Sequence, residues 1–430
     1  MQTSAKDKAA AAAAAAKLLA IAPAADRNNA IAAIAAALVA GRAVIEDANA
    51  RDVAAAKDAA LPSPLLKRLA FNGSKIDAAV DGLRSLITLP DPLGHIQKAT
   101  ELAPELVLRR VSCPIGVVGV IFESRPDALV QISALCAKSG NACLLKGGSE
   151  ALNTNRTLYE IIRDATRGIL PDGWLQLLET RADVSDILAL DEDIDLLIPR
   201  GSNAFVRHIM DNTRIPVMGH ADGICHAFVD ASADVEMAVA IAADSKCQYP
   251  SVCNALETLL VHKDAAAAFL PALKAELVSR NCEMRGCDKT RAVIDCAPAA
   301  VEDWDTEYLD LILSIKIVDD LAAAIAHINR HGSGHTDAII TADRASAEAF
   351  MNAVDSADVF WNCSTRFADG FRYGLGAEVG ISTSKLHARG PVGLEGLCSY
   401  KWKLEGAGHT VAPFADGTRK FTHVELGTGD

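Results

Sequence analysis

No uninterrupted apolar run in the chain reaches the roughly 18 residues that a membrane-spanning helix needs, which argues against a membrane protein. Positive charge is also in short supply. Lys and Arg number 42 against 55 Asp and Glu, a formal net charge of −13. That balance argues against nucleic acid or an anionic membrane surface as the main partner. An anionic small molecule must then be held by locally placed Lys, Arg or helix N-termini. The 11 cysteines show no repeated CxxC pattern and their number is odd, which fits a reducing, cytoplasmic compartment better than a disulfide framework. No Gly-x-Gly-x-x-Gly follows an apolar strand, so the usual dinucleotide fingerprint is missing.

What is present suits a large core. Hydrophobic residues make up 50% of the 430 positions, and the length suggests two or three domains of roughly 100–200 residues. Ala9 to Ala16 is an unbroken alanine run between Lys8 and Lys17. It reads as the exposed start of a helix, since Ala is the best helix former and a poor signal-peptide core. An Ala-rich helical pattern continues to Leu86, broken at Pro23, near Gly41 and at Pro62 and Pro64. A looser segment with Pro90, Pro92 and Gly94 precedes a strand from Leu106 to Val111.

From Gly116 the rhythm becomes strand, then helix, repeatedly. Strands are predicted at Val117 to Phe122, Ala142 to Leu145, Trp174 to Leu178 and Leu196 to Ile198. The alternation resumes after Gly223, with strands at Cys225 to Val229, Glu257 to Val261, Leu311 to Val318, Asp337 to Thr341 and Val359 to Asn362. Short apolar strands separated by helices predict an α/β chain whose parallel sheets are covered on both faces. A Gly-rich tail follows and ends in a strand at Ser399 to Leu404.

Several stretches could carry chemistry. Asp244 to Asn254 reads as a polar loop with two thiols, Cys247 and Cys253, between a helix and a strand. Cys253 is the better nucleophile, flanked by Ser251 and Asn254 and followed by amides that can face an oxyanion. A free Cys is also commonly a small core residue, and that alternative stands. Lys146, Gly147, Gly148 and Ser149 follow a strand and could meet a phosphate; Gly201 and Ser202 follow another and open a helix. The alternative for each is a capped turn. Arg125 precedes Pro126 at a helix start, where the dipole disfavours a cation, so an anion-binding role is weighed against a solvated side chain. Ser364, Thr365 and Arg366 follow a strand and could hold a substrate carboxylate or phosphate, or cap a turn. His220, His226, His331 and His335 show no ligand set at zinc-like spacing, so no metal is expected.

Taken together these pieces resemble the gamma-glutamyl phosphate reductase family of the aldehyde dehydrogenase superfamily. The strings are Val120 to Asp127 (VIFESRPD), Leu144 to Gly148 (LLKGG), Gln248 to Ala255 (QYPSVCNA), His331 to Asp337 (HGSGHTD) and Ser364 to Gly370 (STRFADG), with Gly374 and Gly376. The resemblance implies an aldehyde-dehydrogenase-like fold of two parallel-sheet α/β domains with a small oligomerisation flap. It places an NADP(H)-binding domain at 1–100 and 114–221, a catalytic domain at 222–396, and the flap and tail at 101–113 and 397–430. The implied activity is NADPH-dependent reduction of glutamyl 5-phosphate to glutamate 5-semialdehyde in proline biosynthesis. The implied partners are glutamate 5-kinase and further copies of the same chain.

By the same resemblance Cys253 is the nucleophile, and Lys146, Ser149, Gly201 and Ser202 hold the cofactor. Arg125 stands where the superfamily has an oxyanion-holding Asn. Hydrolytic members carry a Glu before a Gly pair as general base; here Val217 to Gly223 reads VMGHADG, with no Glu. A reductive cycle that ends in aldehyde needs no activated water. Two rival readings remain at this stage: a plain aldehyde-oxidising dehydrogenase, and a non-catalytic thiol sensor using Cys247 with Cys253.

Overall fold

A computed structural model describes residues 3–376 and 378–428. Residues 1–2, 377 and 429–430, which fall inside the expected domain ranges, lie outside the described residues. The chain divides into two compact units, one of Met1–Met218, Gly376–Gly380 and Val392–Asp430, the other of Gly219–Leu375 and Ile381–Pro391.

The first unit begins with the alanine helix, Ala5–Leu19. Its start is fixed by a capping box: Ser4 Oγ accepts from the Asp7 amide at 3.1 Å, and the Asp7 carboxylate accepts from the Ser4 amide at 3.3 Å. Such a cap stabilises a helix by about 1 kcal/mol. The run is exposed on one face only, with Ala10, Ala11 and Ala14 outward and the opposite face in the core. Ala5, Ala9, Ala12 and Ala16 fall on one face at helical spacing and are buried against Val117, Ile121, Ala142 and Leu144. Methyl-sized side chains let this helix lie close on the sheet.

Six strands follow: β1 Ile96–Ala103, β2 Leu106–Pro114, β3 Val117–Phe122, β4 Ala142–Lys146, β5 Leu175–Leu178 and β6 Leu196–Arg200. The last four form a parallel sheet in the order β5-β4-β3-β6. Every residue of β3 and β4 is buried, which is why both read as unbroken apolar runs. The chain steps outward from β3 through β4 to β5, then returns to β6 on the other side of β3. That reversal makes a topological switch point, the place where open α/β sheets take ligands. Strand β1 was missed in sequence because it is polar and follows Pro90, Pro92 and Gly94.

The second unit contributes β7 Cys225–Val229, β8 Leu256–His262, β9 Glu283–Gly286, β10 Ala297–Pro298, β11 Ile312–Val318, β12 Thr336–Ile340 and β13 Asp358–Trp361. They form one parallel sheet in the order β10-β9-β11-β8-β7-β12-β13. On one face Phe269, Leu270, Leu273 and Leu277 of the helix Lys263–Ser279 pack with Leu259, Val261, Leu313 and Ile315. Phe228, Leu260, Ile339 and Phe350 belong to a second cluster, with the helices Leu321–His331 and Arg344–Ala353. Each such side chain, fully buried, contributes roughly 1.5–3 kcal/mol.

The tail adds β14 Gly380–Ser382, β15 Gly390–Val392, β16 Cys398–Glu405 and β17 Val424–Leu426. Strands β16 and β17 join β1 and β2 in a separate antiparallel sheet, ordered β16-β2-β1-β17. Tyr400, Trp402 and Leu404 alternate along β16 and are exposed. Among the described residues no single helix is long and apolar enough to cross a membrane.

Candidate active site

The stretch read as one polar loop is partly helical. The helix Val235–Cys247 runs on through Asp244, because Ala242, Ala243, Ser245 and Lys246 are buried against the sheet. Cys247 therefore sits on a helix, packed against the core cluster that contains Cys282. Lys246, the residue before Cys247, is fully buried with Nζ 2.6 Å from Glu257 Oε2. Burial pushes Glu257 up to about 7 despite the opposing pull of Lys246.

Cys253 lies in the turn before β8 and is half-buried. Its Sγ is 3.2 Å from Nε2 of His335, the residue just before β12. His335 is fully buried, and its Nδ1 is 2.7 Å from Thr336 Oγ1. The half-buried His220 places its ring edge-on to His335, centroids 4.9 Å apart. Nδ1 of His220 is 3.0 Å from the carbonyl oxygen of Ile381. A carbonyl can only accept, so this nitrogen carries the proton and the lone pair sits on Nε2. A donor atom from each of His220, Cys253 and His335 lies within 4.8 Å of the others. Sequence spacing did not show this proximity, which the fold alone creates.

The reason is topological. His220 precedes β7, Cys253 precedes β8 and His335 precedes β12, and these three parallel strands are neighbours in the order β8-β7-β12. Their amino ends therefore converge. Gly223 completes the turn: a Cβ there would lie 2.3 Å from the carbonyl oxygen of Cys253 and 2.5 Å from its Cα. That carbonyl also accepts from Cys225 Sγ at 3.2 Å. The exposed backbone of the nucleophile turn is thus held from below by β7.

Asn254 and Ser364–Arg366 come to the same place. The buried Asn254 side chain donates from Nδ2 to the Ala368 carbonyl at 2.8 Å, and Thr365 Oγ1 donates to the Asn254 carbonyl at 2.7 Å. Ser364 Oγ accepts from Ser245 Oγ at 3.1 Å. Arg366 Nε donates to Gln248 Oε1 at 3.0 Å. Burial, then neighbouring Arg372, pull the Arg366 guanidinium below its ordinary range. Sequence reasoning gave no role to His335 or His220. The signal for His335 was a polar His-Thr-Asp triplet leading directly into the apolar run Ala338 to Ile340.

The other predicted residues lie in the first unit. Lys146 ends β4, almost wholly buried, and donates to the Gly147 carbonyl at 2.8 Å. Ser149 is exposed and opens a short turn, Ser149–Ala151. Glu150 folds back: its Oε1 accepts from the Ser124 amide at 2.6 Å and the Ser124 hydroxyl at 2.7 Å. Burial, then Glu150, push the neighbouring Glu123 carboxyl up. Gly201 and Ser202 are exposed at the end of β6 and open the helix Asn203–Asp211, whose N-cap Ser202 makes no side-chain capping hydrogen bond. They therefore sit at the switch point between β3 and β6, with Lys146 one strand over. Arg125 is exposed, with Nη2 2.9 Å from Asp127. That is a surface ion pair, worth about 0–1 kcal/mol.

Residues 1–293 match the aldehyde dehydrogenase family. The chain belongs to that family. It is 59% identical to the gamma-glutamyl phosphate reductase of Acetivibrio thermocellus over 401 residues, covering 93% of each chain. Against the enzyme of the same name from Pelotomaculum thermopropionicum it is 60% identical over 401 residues, or 93% of this chain and 92% of that one. The crystal structure of gamma-glutamyl phosphate reductase from Thermotoga maritima superposes with a TM-score of 0.93 at 40% identity, covering 95% of this chain and 100% of that one.

Membership makes the chain an oxidoreductase and implies a nicotinamide cofactor. The first unit fits such a group. A helix start without a side-chain cap, exposed Gly and Ser, and a Lys on the adjoining strand surround the switch point. In the second unit Cys253 has an imidazole nitrogen at 3.2 Å, an arrangement suited to nucleophilic chemistry.

Proposed function

We propose that the chain reduces L-glutamyl 5-phosphate to L-glutamate 5-semialdehyde, with NADPH as reductant and release of phosphate, as a cytoplasmic step of proline biosynthesis. The observation that carries the reading is the Cys253–His335 contact, Sγ to Nε2 at 3.2 Å. The names of the similar enzymes supply the substrate class. The first unit is the NADP(H)-binding domain, with Lys146, Ser149, Gly201 and Ser202 on the cofactor. The second is the catalytic domain. The antiparallel sheet of β1, β2, β16 and β17 is the oligomerisation flap, a role that suits the exposed Tyr400, Trp402 and Leu404 on its edge strand.

In this reading His335 Nε2 takes the proton from the Cys253 thiol, with Nδ1–H held by Thr336 Oγ1. The thiolate attacks the acyl carbonyl, the carbon–oxygen bond to phosphate breaks, and His335 returns the proton to the departing phosphate. A thioester on Cys253 remains. Bound NADPH supplies the hydride that reduces it. The oxyanion then collapses, releasing aldehyde and the Cys253 thiolate, which is reprotonated from solvent through His335. Amides after Cys253 hold each oxyanion, and one such donor is typically worth roughly 10²–10³ in rate. Asn254 positions the turn through Ala368. Ser364, Thr365 and Arg366 hold the substrate carboxylate.

The segment Val217 to Gly223 carries no Glu where hydrolytic members have their general base, and His220 is oriented by Ile381. The reverse reaction should therefore need inorganic phosphate. The test is NADPH oxidation with freshly made glutamyl 5-phosphate, beside the reverse assay with and without phosphate and hydroxylamine trapping of the product. Turnover with the acyl phosphate and a phosphate-dependent reverse reaction are expected. Phosphate-independent NADP reduction, with free glutamate as the first product, would instead make the chain a plain aldehyde-oxidising dehydrogenase.

A further inference from the structure

The cluster at the amino ends of β7, β8 and β12 has a second property that the reaction does not use. Among the described residues, His220, Cys253 and His335 are the one group of three His, Cys or carboxylate side chains that could converge on a metal ion. We propose that these three side chains form a reversible binding site for a thiophilic divalent cation, with Zn²⁺ the best fit, and that its occupation shuts the nucleophile off.

The donor set is one thiolate and two imidazoles, which Zn²⁺ prefers over oxygen-seeking cations such as Mg²⁺ and Ca²⁺. With Zn–S of about 2.3 Å and Zn–N of about 2.0–2.1 Å, tetrahedral donor pairs stand roughly 3.3–3.6 Å apart. Cys253 and His335 are already 3.2 Å apart, and no pair in the trio exceeds 4.8 Å. Rotation of the half-buried His220 and Cys253 side chains closes the remainder.

The outer partners point the same way. Ligating histidines generally donate their other ring nitrogen to a carbonyl, hydroxyl or carboxylate. His220 does so to the Ile381 carbonyl at 3.0 Å, and His335 meets the Thr336 hydroxyl at 2.7 Å. Each ring thus meets its outer partner through Nδ1. His335 is buried, whereas His220 and Cys253 are half-buried, so the cation has access from solvent and its fourth position remains for water.

Binding forms one metal–sulfur and two metal–nitrogen bonds and breaks the Cys253 S–H bond, releasing one proton to solvent. No electrons are transferred. The site rests on three side chains and not on the identity of the acyl substrate, so it stands or falls apart from the proposed reaction.

The test uses the full chain, freed of metal by a chelator and kept reduced with a phosphine. Co²⁺ serves as the spectroscopic probe and Zn²⁺ is titrated against a chromogenic chelator. Co²⁺ should produce a near-ultraviolet thiolate-to-metal band that is absent in Cys253→Ser. Zn²⁺ affinity should fall at least about tenfold in His220→Gln, the lower end of what lost support of a metal ligand costs. Thermal melting and cofactor binding report whether each variant is folded. A further measurement needs no variant: in the unmodified chain, Zn²⁺ should protect Cys253 from iodoacetamide, read by peptide mass spectrometry, and a chelator should restore labelling. Undiminished alkylation of Cys253 under saturating Zn²⁺ would overturn the proposal. So would wild-type Zn²⁺ affinity in folded His220→Gln and Cys253→Ser. None of these readouts depends on turnover.

Discussion

His335 and Cys253 are 82 positions apart in the chain, yet Nε2 of one lies 3.2 Å from Sγ of the other. A thiol so placed has a proton acceptor within hydrogen-bond range, whereas Cys247 packs on a helix against the core cluster. Cys253→Ala should abolish NADPH oxidation and leave cofactor binding unchanged, while Cys247→Ala keeps substantial activity. His335→Gln should lower kcat by about 10²–10⁴, the usual range for losing a general base. Steady-state kinetics across pH, with cofactor binding followed by fluorescence, check all three.

Gly223 is expected to be intolerant of any side chain. A methyl group there would meet the Cys253 carbonyl oxygen at 2.3 Å, which is backbone and cannot swing aside. Gly223→Ala should cost about 1–3 kcal/mol in stability, as overpacking does. Displacing the nucleophile by an ångström should also reduce kcat about 10²-fold. Denaturant melts and kcat measured on the same preparation separate the two effects.

The Lys246–Glu257 pair sets a pH dependence whose sign follows from burial. The Glu257 carboxyl titrates at about 7 in the folded chain, against 4.5 ordinarily. A group raised on folding adds stability below its unfolded value and loses it as pH climbs through the folded one. The stability of the wild type relative to Glu257→Gln should therefore decline between about pH 4.5 and 7. Lys246→Met removes the pull that lowers the Glu257 pKa, so the carboxyl should stay protonated at neutral pH and the loss of stability should grow as pH rises above its pKa. Melting temperatures of the three proteins over that range give the comparison.

Lys146→Ala should raise the KM for NADPH more than that for NADH and change kcat little, because a lost ground-state contact appears in KM. Glu150, the nearest acidic side chain along the sequence, is turned onto Ser124. An NADPH KM equal to the wild type's would move the phosphate contact to the Gly201–Ser202 helix start.

The parallel sheets were legible because their strands are short apolar runs punctuated by helices. Val117–Phe122 and Cys225–Val229 match to the residue. Strand β1 was not legible, since IQKATELA is polar and gains its place only by pairing with β2 and β17. The alanine helix was legible as a helix but not as core, because burial of a small side chain depends on what packs over it. Cys253 was legible as a thiol beside polar neighbours. Its partnership with His335 was not, because it depends on β12 lying beside β7, a pairing that joins Asp337 to His226 across the sheet.

That pairing also governs when the enzyme comes into being during folding. Contacts closed across more than a hundred residues carry a large loop entropy and form late relative to local structure. The helix that precedes the Cys253 turn and the strand that follows it are local and can form early. The imidazole arrives only when β12 docks on β7. Recovered activity in a refolding experiment should therefore lag recovered helical signal and track the docking of that strand. Until then Cys253 is a thiol without its imidazole, and a chaperone or a reductant would meet it in that state.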